Sequence, residues 1–190
     1  MKSVKRDFNS YLEIKKSKFY TYIYNINSKE EVNKYLEKIK NELPKATHYV
    51  YAYRLFDSSK SSDDGEPTGT AGSPIMNVLE KEDLFNVLVI VVRYFGGIKL
   101  GAGGLIRAYT KSLTEALKEV EFVELVNASI IELTFNYDKI KNIDNIITTT
   151  NSKLLDKTFD NDITYKILVK NDNLDKFSNY KKIKDTITNI

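Results

Sequence analysis

The chain has 190 residues, enough for one large or two small domains, and its 42% hydrophobic and 12% aromatic content indicates a packed core rather than disorder. A net charge of +3 is too small for a protein that coats nucleic acid, and the absence of Cys excludes disulfides, thiolate metal sites and cysteine nucleophiles. No apolar run is long enough to cross a bilayer and no secretory signal is recognisable, so we expect a cytoplasmic protein with no membrane partner.

The first predicted elements are two strands, over residues 8–14 and 19–26, which a lysine-rich turn joins as a hairpin. Tyr20, Tyr22 and Tyr24 share one face of the second strand. Alternating tyrosines are more typical of a sheet surface packed inside a domain than of a platform on which bases stack. We therefore predict that this face is half-buried.

A helix and a third strand follow the hairpin. Ser28 is a good N-cap, Glu31 completes a capping box with it, and the helix ends before Pro44. Residues 47–56 form the next predicted strand, which carries His48, the only histidine. A single His in a tyrosine-rich strand is more often a hydrogen-bonded structural residue than a catalytic base, and no Ser or Cys partner for it is evident.

An acidic loop, defined here as residues 60–74, separates this strand from a short helix predicted around residues 74–80. Its only hydrophobic residue is Ala71, so we expect nothing in the loop to be buried for stability. The pattern suits a solvated, flexible surface loop, or a binding loop held by a rigid scaffold. The candidate residues of this loop are Asp63, Asp64, Gly65, Glu66, Thr68, Gly69 and Thr70.

The next segment combines a buried strand, a glycine turn and a long helix. Residues 87–92 are an unbroken apolar run, typical of a strand buried on both faces and continuing to about residue 94, and a helical pattern runs to about residue 120. Between them, the glycine turn (residues 96–104) can serve close helix–strand packing, or can present the N–H groups of a helix N-terminus to an anion. The candidate anion-binding or RNA-binding residues are Arg93, Tyr94, Gly96, Gly97, Lys99, Gly101, Gly103, Gly104 and Arg107.

Two known phosphate-binding fingerprints do not fit the glycine turn. Gly96 and Gly101 have the spacing of a Walker glycine pair, but Ala102 stands where that motif needs Lys. No G-x-G-x-x-G sequence occurs either. The two interpretations therefore stay open: close helix–strand packing, or a general anion site with the mobile positive charge of Arg93, Lys99 and Arg107 around it.

The remaining third of the chain predicts a second domain, with the boundaries 1–125 and 126–190. Its elements alternate as βαββαβ, the split motif of ferredoxin-like folds. The predicted strands cover residues 129–136, 153–159, 163–169 and 182–187, and the predicted helices cover 138–149 and 173–180. This part has no Gly, Pro or His, so it offers no concentrated functional constellation.

The motifs SDDGEPTGTAGSP and VVRYFGGIKLGAGGLIRAY resemble the signature of the IMPACT / YigZ family, over roughly residues 16–120. The resemblance implies an α+β chain with an N-terminal ββαβαβα domain of the ribosomal-protein-S5 domain-two-like fold and the small C-terminal domain of bacterial members. It implies a link to translation control, since eukaryotic members compete for the co-activator of an amino-acid-sensing initiation-factor kinase. It also implies that His48 and Tyr109 line a site.

Two functions remain open from the sequence. The first is a non-enzymatic binding protein without cofactor or catalytic residue, whose partner is RNA, the ribosome or a translation-associated protein. The alternative is an enzyme acting on a small phosphorylated ligand or nucleotide, with Mg²⁺ held by Asp63, Asp64 and Glu66. A zinc peptidase is disfavoured because the chain has one His, no Cys and no H-E-x-x-H motif.

Overall fold

The computed structural model describes residues 1–189 and shows an α+β chain of two compact units, Met1–Glu124 and a second unit that begins at Leu125. Each unit contains its own sheet and its own buried core. Among the helices of residues 1–189, none has the length and apolar character needed to cross a lipid bilayer.

The first unit is built on a five-stranded antiparallel sheet with the order β2-β3-β6-β4-β5, beside a small pair of strands, β1 and β7. Its strands are β1 (Lys2–Val4), β2 (Phe8–Ile14), β3 (Ser17–Asn25), β4 (His48–Arg54), β5 (Ser59–Ser62), β6 (Val87–Tyr94) and β7 (Phe122–Glu124). Its helices are α1 (Lys29–Glu42), α2 (Gly72–Lys81) and α3 (Ala102–Leu117).

The central strand β6 is buried on both faces, as its unbroken apolar sequence predicts. Val89 and Val91 face the core under α2 and α3, whereas Leu88 and Ile90 face the core under α1. The tyrosines of β3 pack in the α1 core, so the prediction of a half-buried tyrosine face is confirmed. The helices α2 and α3 cover one face of the sheet, and α1 covers the other. The start of β4 and the end of β6 lie side by side, next to the N-terminus of α3.

The predicted element order ββαβαβα is confirmed, but the three short strands β1, β5 and β7 are additional. Strand β5 occupies the first part of the predicted acidic loop, and α2 begins at Gly72, two residues before Pro74. The predicted capping box of α1 forms only in part. Ser28 is the N-cap without a side-chain hydrogen bond, and the Glu31 carboxylate accepts the N–H of Asn27 at 2.9 Å.

The second unit has the βαββαβ order predicted from the sequence. Its sheet order β11-β8-β10-β9 is the ferredoxin-like arrangement, and all its strand pairs are antiparallel. Its elements are β8 (Val126–Phe135), α4 (Ile140–Thr149), β9 (Lys153–Phe159), β10 (Ile163–Lys170) and β11 (Lys181–Thr188). The second predicted helix is a 3-10 helix, Asn171–Lys176, and a 3-10 turn, Tyr137–Lys139, precedes α4.

Candidate functional site

Asp63 anchors the acidic loop to the fold. Its Oδ1 accepts hydrogen bonds from the backbone N–H groups of Ala71 at 3.0 Å and Gly72 at 2.8 Å, and its Oδ2 accepts one from Gly69 at 2.8 Å. Burial by itself would raise the pKa of this carboxyl group, but the three N–H donors outweigh burial and lower the pKa of Asp63 below its ordinary value. Asp63 therefore supplies the negative charge at the N-terminus of α2.

Asp64 joins the same loop to β4. Its carboxylate accepts the backbone N–H of Tyr49 at 2.6 Å, and its carbonyl oxygen lies 2.7 Å from His48 Nδ1. The next residue, Gly65, has a φ of +83° and lies against the imidazole, with a Cβ position 3.6 Å from His48 Nδ1. The glycine therefore allows the loop to turn directly over His48.

Glu66 is buried, which contradicts the expectation that nothing in the acidic loop is buried. Its side chain is 3% exposed, and its Oε1 accepts hydrogen bonds from Arg93 Nη1 at 2.6 Å and from the Tyr109 hydroxyl at 2.8 Å. Burial, followed by the nearby Glu66 carboxylate, raises the pKa of Tyr109 well above its ordinary value, so the hydroxyl remains a donor. A buried charge of this kind is tolerable because it is paired and hydrogen-bonded.

Arg93 is not the mobile positive charge that the sequence predicts. The residue is 5% exposed, and besides the bond to Glu66 its Nη2 donates to Ser17 Oγ at 3.3 Å. Its Nε is buried without a hydrogen-bond partner within residues 1–189. The Arg93 side chain therefore lies in the interior, and the Glu66 carboxylate neutralises its charge without any ligand.

The His48 ring and the Glu66 carboxylate lie next to each other at the acidic loop. Because the Asp64 carbonyl can only accept, His48 Nδ1 is the atom that carries the proton. The other ring nitrogen, Nε2, lies 3.7 Å from Glu66 Oε2, beyond hydrogen-bond distance. Glu66 Oε2 receives no hydrogen bond from residues 1–189.

The glycine turn combines close packing with positive φ. A Cβ on Gly96 would lie within 2.0 Å of the backbone of Lys16, so only glycine fits between the two segments. Gly97 and Gly101 have φ values of +82° and +70°. Gly96 therefore serves close packing, against the hairpin turn at Lys16, and Gly101 turns the chain into the first residue of α3. Anion binding by the turn stays a prediction.

The N-terminus of α3 is uncapped. No side chain of residues 1–189 caps its first turn with a hydrogen bond, and that turn contains no acidic residue. Lys99 and Arg107 are exposed, and neither forms an ion pair with a carboxylate of residues 1–189. The Arg107 guanidinium lies beside Gly103 in the first turn, 3.5 Å from the position of a Cβ on that glycine. This end of α3 therefore carries positive potential that nothing in the described chain neutralises.

A cavity of about 300 Å³ joins the acidic loop to the glycine turn. Of the predicted site residues, those that line it are His48, Glu66, Arg93, Lys99 and Gly101. Its other lining residues, which the sequence analysis does not assign to a site, are Thr47, Pro67, Phe95, Leu100, Ala102 and Leu105. The walls are mainly apolar, and the polar side chains in the lining are Thr47, His48, Glu66, Arg93 and Lys99.

The other predicted site residues support the cavity or lie away from its lining. Tyr109 supports Glu66 from the core, and the Tyr94 hydroxyl donates to the carbonyl of Pro44 at 3.1 Å. Thr70 Oγ1 donates to the Pro67 carbonyl at 2.6 Å and so stiffens the acidic loop. The remaining predicted residues, none of which lines the cavity, are Asp63, Asp64, Gly65, Thr68, Gly69, Gly96, Gly97, Gly103, Gly104 and Arg107.

The three carboxylates of the acidic loop do not converge. Asp63 binds backbone N–H groups at α2, Asp64 binds the N–H of Tyr49, and Glu66 binds Arg93 and Tyr109. Within residues 1–189, no group of three or more His, Asp or Glu side chains is placed to share a metal ion. These residues therefore do not fit the chelating role that the Mg²⁺ hypothesis gives them.

Comparison with known proteins identifies related chains. The sequence matches that of the Impact N-terminal domain over residues 15–117. It is 35% identical to the IMPACT family member YvyE of Bacillus subtilis (strain 168) over 170 residues, covering 88% of this chain and 78% of that protein. It is 32% identical to the IMPACT family member YigZ of Escherichia coli (strain K12) over 152 residues, covering 77% and 74% of the two chains.

Among solved structures, the crystal structure of a protein described as hypothetical is similar to this chain. It superposes with a TM-score of 0.76 and 26% sequence identity, covering 95% of both chains. The similarity therefore includes the second unit as well as the first.

Proposed function

Because the chain belongs to the IMPACT family, we propose that it is a non-enzymatic binding protein linked to translation, which contacts RNA or the translation machinery through the cavity between the acidic loop and the glycine turn. The family resemblance supports the link to translation. The chemistry of the cavity supports the contact with an anionic partner.

The observation that carries this proposal is the uncapped N-terminus of α3. At the N-terminus of α2, the Asp63 carboxylate accepts hydrogen bonds from the backbone N–H groups. The first turn of α3 has no acidic side chain that could do the same. Free N–H groups and the positive end of the helix dipole bind phosphate oxygens. Lys99 and Arg107 stand at the same end of α3 and add charges that no carboxylate of residues 1–189 neutralises.

The low net charge of the chain suits a local contact rather than a coating role. Lys and Arg outnumber Asp and Glu by only 29 to 26, so affinity for RNA must come from a small number of placed groups. Each neutralised phosphate contributes about one unit to the dependence of log affinity on log salt concentration. We therefore expect weak to moderate binding with a shallow salt dependence, on the order of two units.

The test is to measure binding of the purified protein to ribosomal subunits and to single-stranded RNA at several salt concentrations. Lys99→Ala and Arg107→Ala should each weaken binding and reduce the salt slope by about one unit. Lys111→Ala is the matched control, because Lys111 is an exposed cation on the same helix, one turn further from its N-terminus than Arg107. The proposal is wrong if the native protein binds neither target, or if all three variants behave alike.

An enzyme acting on a small phosphorylated ligand or nucleotide remains the second candidate. The observation that favours it is His48, whose Nε2 lies 3.7 Å from the buried Glu66 carboxylate inside a mainly apolar cavity. Such an imidazole, oriented by the Asp64 carbonyl, has the geometry of a general base. Any Mg²⁺ would then be held chiefly by the phosphates of the ligand. Thermal unfolding with a panel of nucleotides, with and without Mg²⁺, tests this candidate, and an unchanged midpoint throughout rejects it.

A further inference from the structure

We propose that a second cavity of the first unit stacks a base of single-stranded RNA. This cavity, called here the aromatic cavity, has a volume of about 330 Å³ and is lined by Lys16, Lys18, Tyr20, Leu43, Tyr94 and Phe95. The inference rests on the proposed function, a contact with RNA, and names the part of the RNA that these residues recognise. All six residues lie on the β2–β3 hairpin, at the end of α1 or at the end of β6, so this site is independent of the N-terminus of α3.

Three aromatic rings form most of the apolar part of the aromatic cavity. Tyr20 and Tyr94 are half-buried, and their ring centroids lie 6.0 Å apart at an interplanar angle of 81°. The Tyr94 hydroxyl donates to the Pro44 carbonyl at 3.1 Å, which fixes this ring. Phe95 is 46% exposed, while its backbone N–H donates to Thr47 Oγ1 at 2.9 Å. Phe95 is therefore an anchored residue with a ring that a flat ligand can cover, and every nucleic-acid base has such a flat face.

The charged groups of the aromatic cavity are positive. Of its six lining residues, the two that carry charge are Lys16 and Lys18. Both are exposed, and neither forms an ion pair with a carboxylate of residues 1–189. Glu13 is opposite Lys18 in the β2–β3 pairing, but its carboxylate accepts the Tyr11 hydroxyl at 2.9 Å. The lining thus fits an anionic ligand that also has a flat apolar part.

The strands around the aromatic cavity favour a nucleic acid over an acidic peptide. Strands β3 and β6 are internal to the sheet, because β2 pairs with β3 and β4 pairs with β6 on their outer sides. A peptide that binds a sheet through its backbone adds a strand at a free edge, and these two strands offer no such edge. Recognition therefore depends on aromatic rings and ammonium groups, which suit a base and a phosphate.

Phe95 connects the aromatic cavity to the cavity at the glycine turn. It lines both of them, and its ring centroid lies 5.7 Å from the guanidinium carbon of Arg93. A strand with a phosphate at the glycine turn can therefore place a base against Phe95. Because different residues bind the base and the phosphate, experiment can separate the two contributions.

The experiment compares a short unpaired RNA with a strand of the same length in which abasic ribose spacers replace the nucleosides, by fluorescence anisotropy at low salt. The abasic strand keeps every phosphate but has no base to stack. We expect the native chain to bind the RNA about tenfold more tightly than the abasic strand. In Phe95→Leu, which keeps an apolar side chain but removes the ring, this ratio should fall to about twofold. Because each ratio is measured on one protein sample, it does not depend on the fraction folded.

The matched control is Phe159→Leu, because Phe159 is 55% exposed and lies in the second unit. Its ratio should stay at the native value. Lys18→Ala should weaken both strands by the same factor, since its ammonium group contacts phosphate rather than base. Phe95→Trp adds a direct readout, because the chain contains no Trp and the new indole is a single reporter. The RNA should quench its fluorescence, and the abasic strand should leave it unchanged.

Each outcome decides between the two proposals. Equal binding of the RNA and the abasic strand, weakened by Lys99→Ala, would overturn base stacking but keep the proposed contact with RNA. A tenfold ratio that Phe95→Leu leaves unchanged would overturn the aromatic cavity as the stacking site and also keep that contact. Binding of neither strand would overturn both proposals, as would binding of an oligoglutamate peptide in place of the two strands.

Discussion

Arg93 Nη1 donates to Glu66 Oε1 across 2.6 Å in the interior of the first unit, and neither residue is more than 8% exposed. This pair connects the last part of strand β6 to the acidic loop. It therefore fixes the loop against the sheet and forms the polar part of the cavity that α3 borders. The same contact explains why the charge of Arg93 cannot serve a ligand directly.

The first prediction concerns the stability that this pair confers. Glu66→Ala and Arg93→Ala should each lower the free energy of unfolding by about 3–5 kcal/mol, because each leaves the other charge buried without its partner. Urea denaturation followed by circular dichroism measures the loss. The double variant should lose much less than the sum of the two single losses.

The matched control for this prediction is an exposed ion pair. Glu115 and Lys118 are 46% and 67% exposed, and Glu115→Ala should cost less than about 1 kcal/mol. If Glu66→Ala costs no more than Glu115→Ala, the buried pair does not hold the acidic loop.

The second prediction concerns the Tyr109 hydroxyl, which donates to Glu66 Oε1 at 2.8 Å. Tyr109→Phe removes a hydrogen bond to a buried carboxylate while keeping the ring in the core. We expect a loss of about 2 kcal/mol in unfolding free energy. Tyr137→Phe is the control, because the Tyr137 side chain is 52% exposed and its hydroxyl bonds only to a backbone carbonyl. Equal losses for the two variants would contradict the role given to Tyr109.

The third prediction concerns acid stability through Asp63. The pKa of Asp63 is lower in the folded chain than its ordinary value of 3.8, so the unfolded chain binds the proton more readily. The contribution of Asp63 is therefore complete above about pH 5 and is lost as the pH falls below about 4 towards the folded pKa. Asp63→Asn keeps the shape of the side chain but removes its charge.

The measurement is the difference in unfolding free energy between the native chain and Asp63→Asn from pH 3 to pH 7. The difference should be constant, at about 2 kcal/mol, near neutral pH and should shrink in acid. A difference that grows as the pH falls would show that the sign of the pKa shift is wrong.

The fourth prediction concerns two glycines of the same turn. Gly96→Ala should destabilise the chain by about 3 kcal/mol, since its Cβ would lie within 2.0 Å of the Lys16 backbone, which cannot move aside as a side chain can. Gly103→Ala places its Cβ 3.5 Å from the flexible end of Arg107 inside α3. It should therefore be neutral or stabilise the helix by up to about 1 kcal/mol. The melting temperature should fall in Gly96→Ala and stay unchanged or rise in Gly103→Ala. An equal fall in both variants would contradict the close approach of Gly96 to Lys16.

Much of the fold could be predicted because the pattern of apolar residues within several elements already indicates which of their faces are buried. The six consecutive apolar residues at 87–92 indicate a strand covered on both sides, and β6 is such a strand. The strands β1 and β5 could not be predicted in this way. They are three and four residues long and polar or mixed, so they depend on backbone pairing with distant partners rather than on a local pattern.

The burial of Glu66 could not be predicted from the loop itself. Its partners Arg93 and Tyr109 lie 27 and 43 residues away, and the loop sequence alone resembles a solvated surface. The buried position of Arg93, by contrast, could have been predicted from the sequence. Val89, Val91 and Arg93 alternate along one strand and so share a face, which makes an interior position for Arg93 the expected one.

The most direct test of the ligand site is a nuclear magnetic resonance titration of the full chain with a short single-stranded RNA. We expect the largest shifts in the backbone amides of residues 99–104 and in the ring of His48, which border or line one cavity. Shifts confined to the second unit, or no shifts at RNA concentrations that saturate the anisotropy signal, would contradict it.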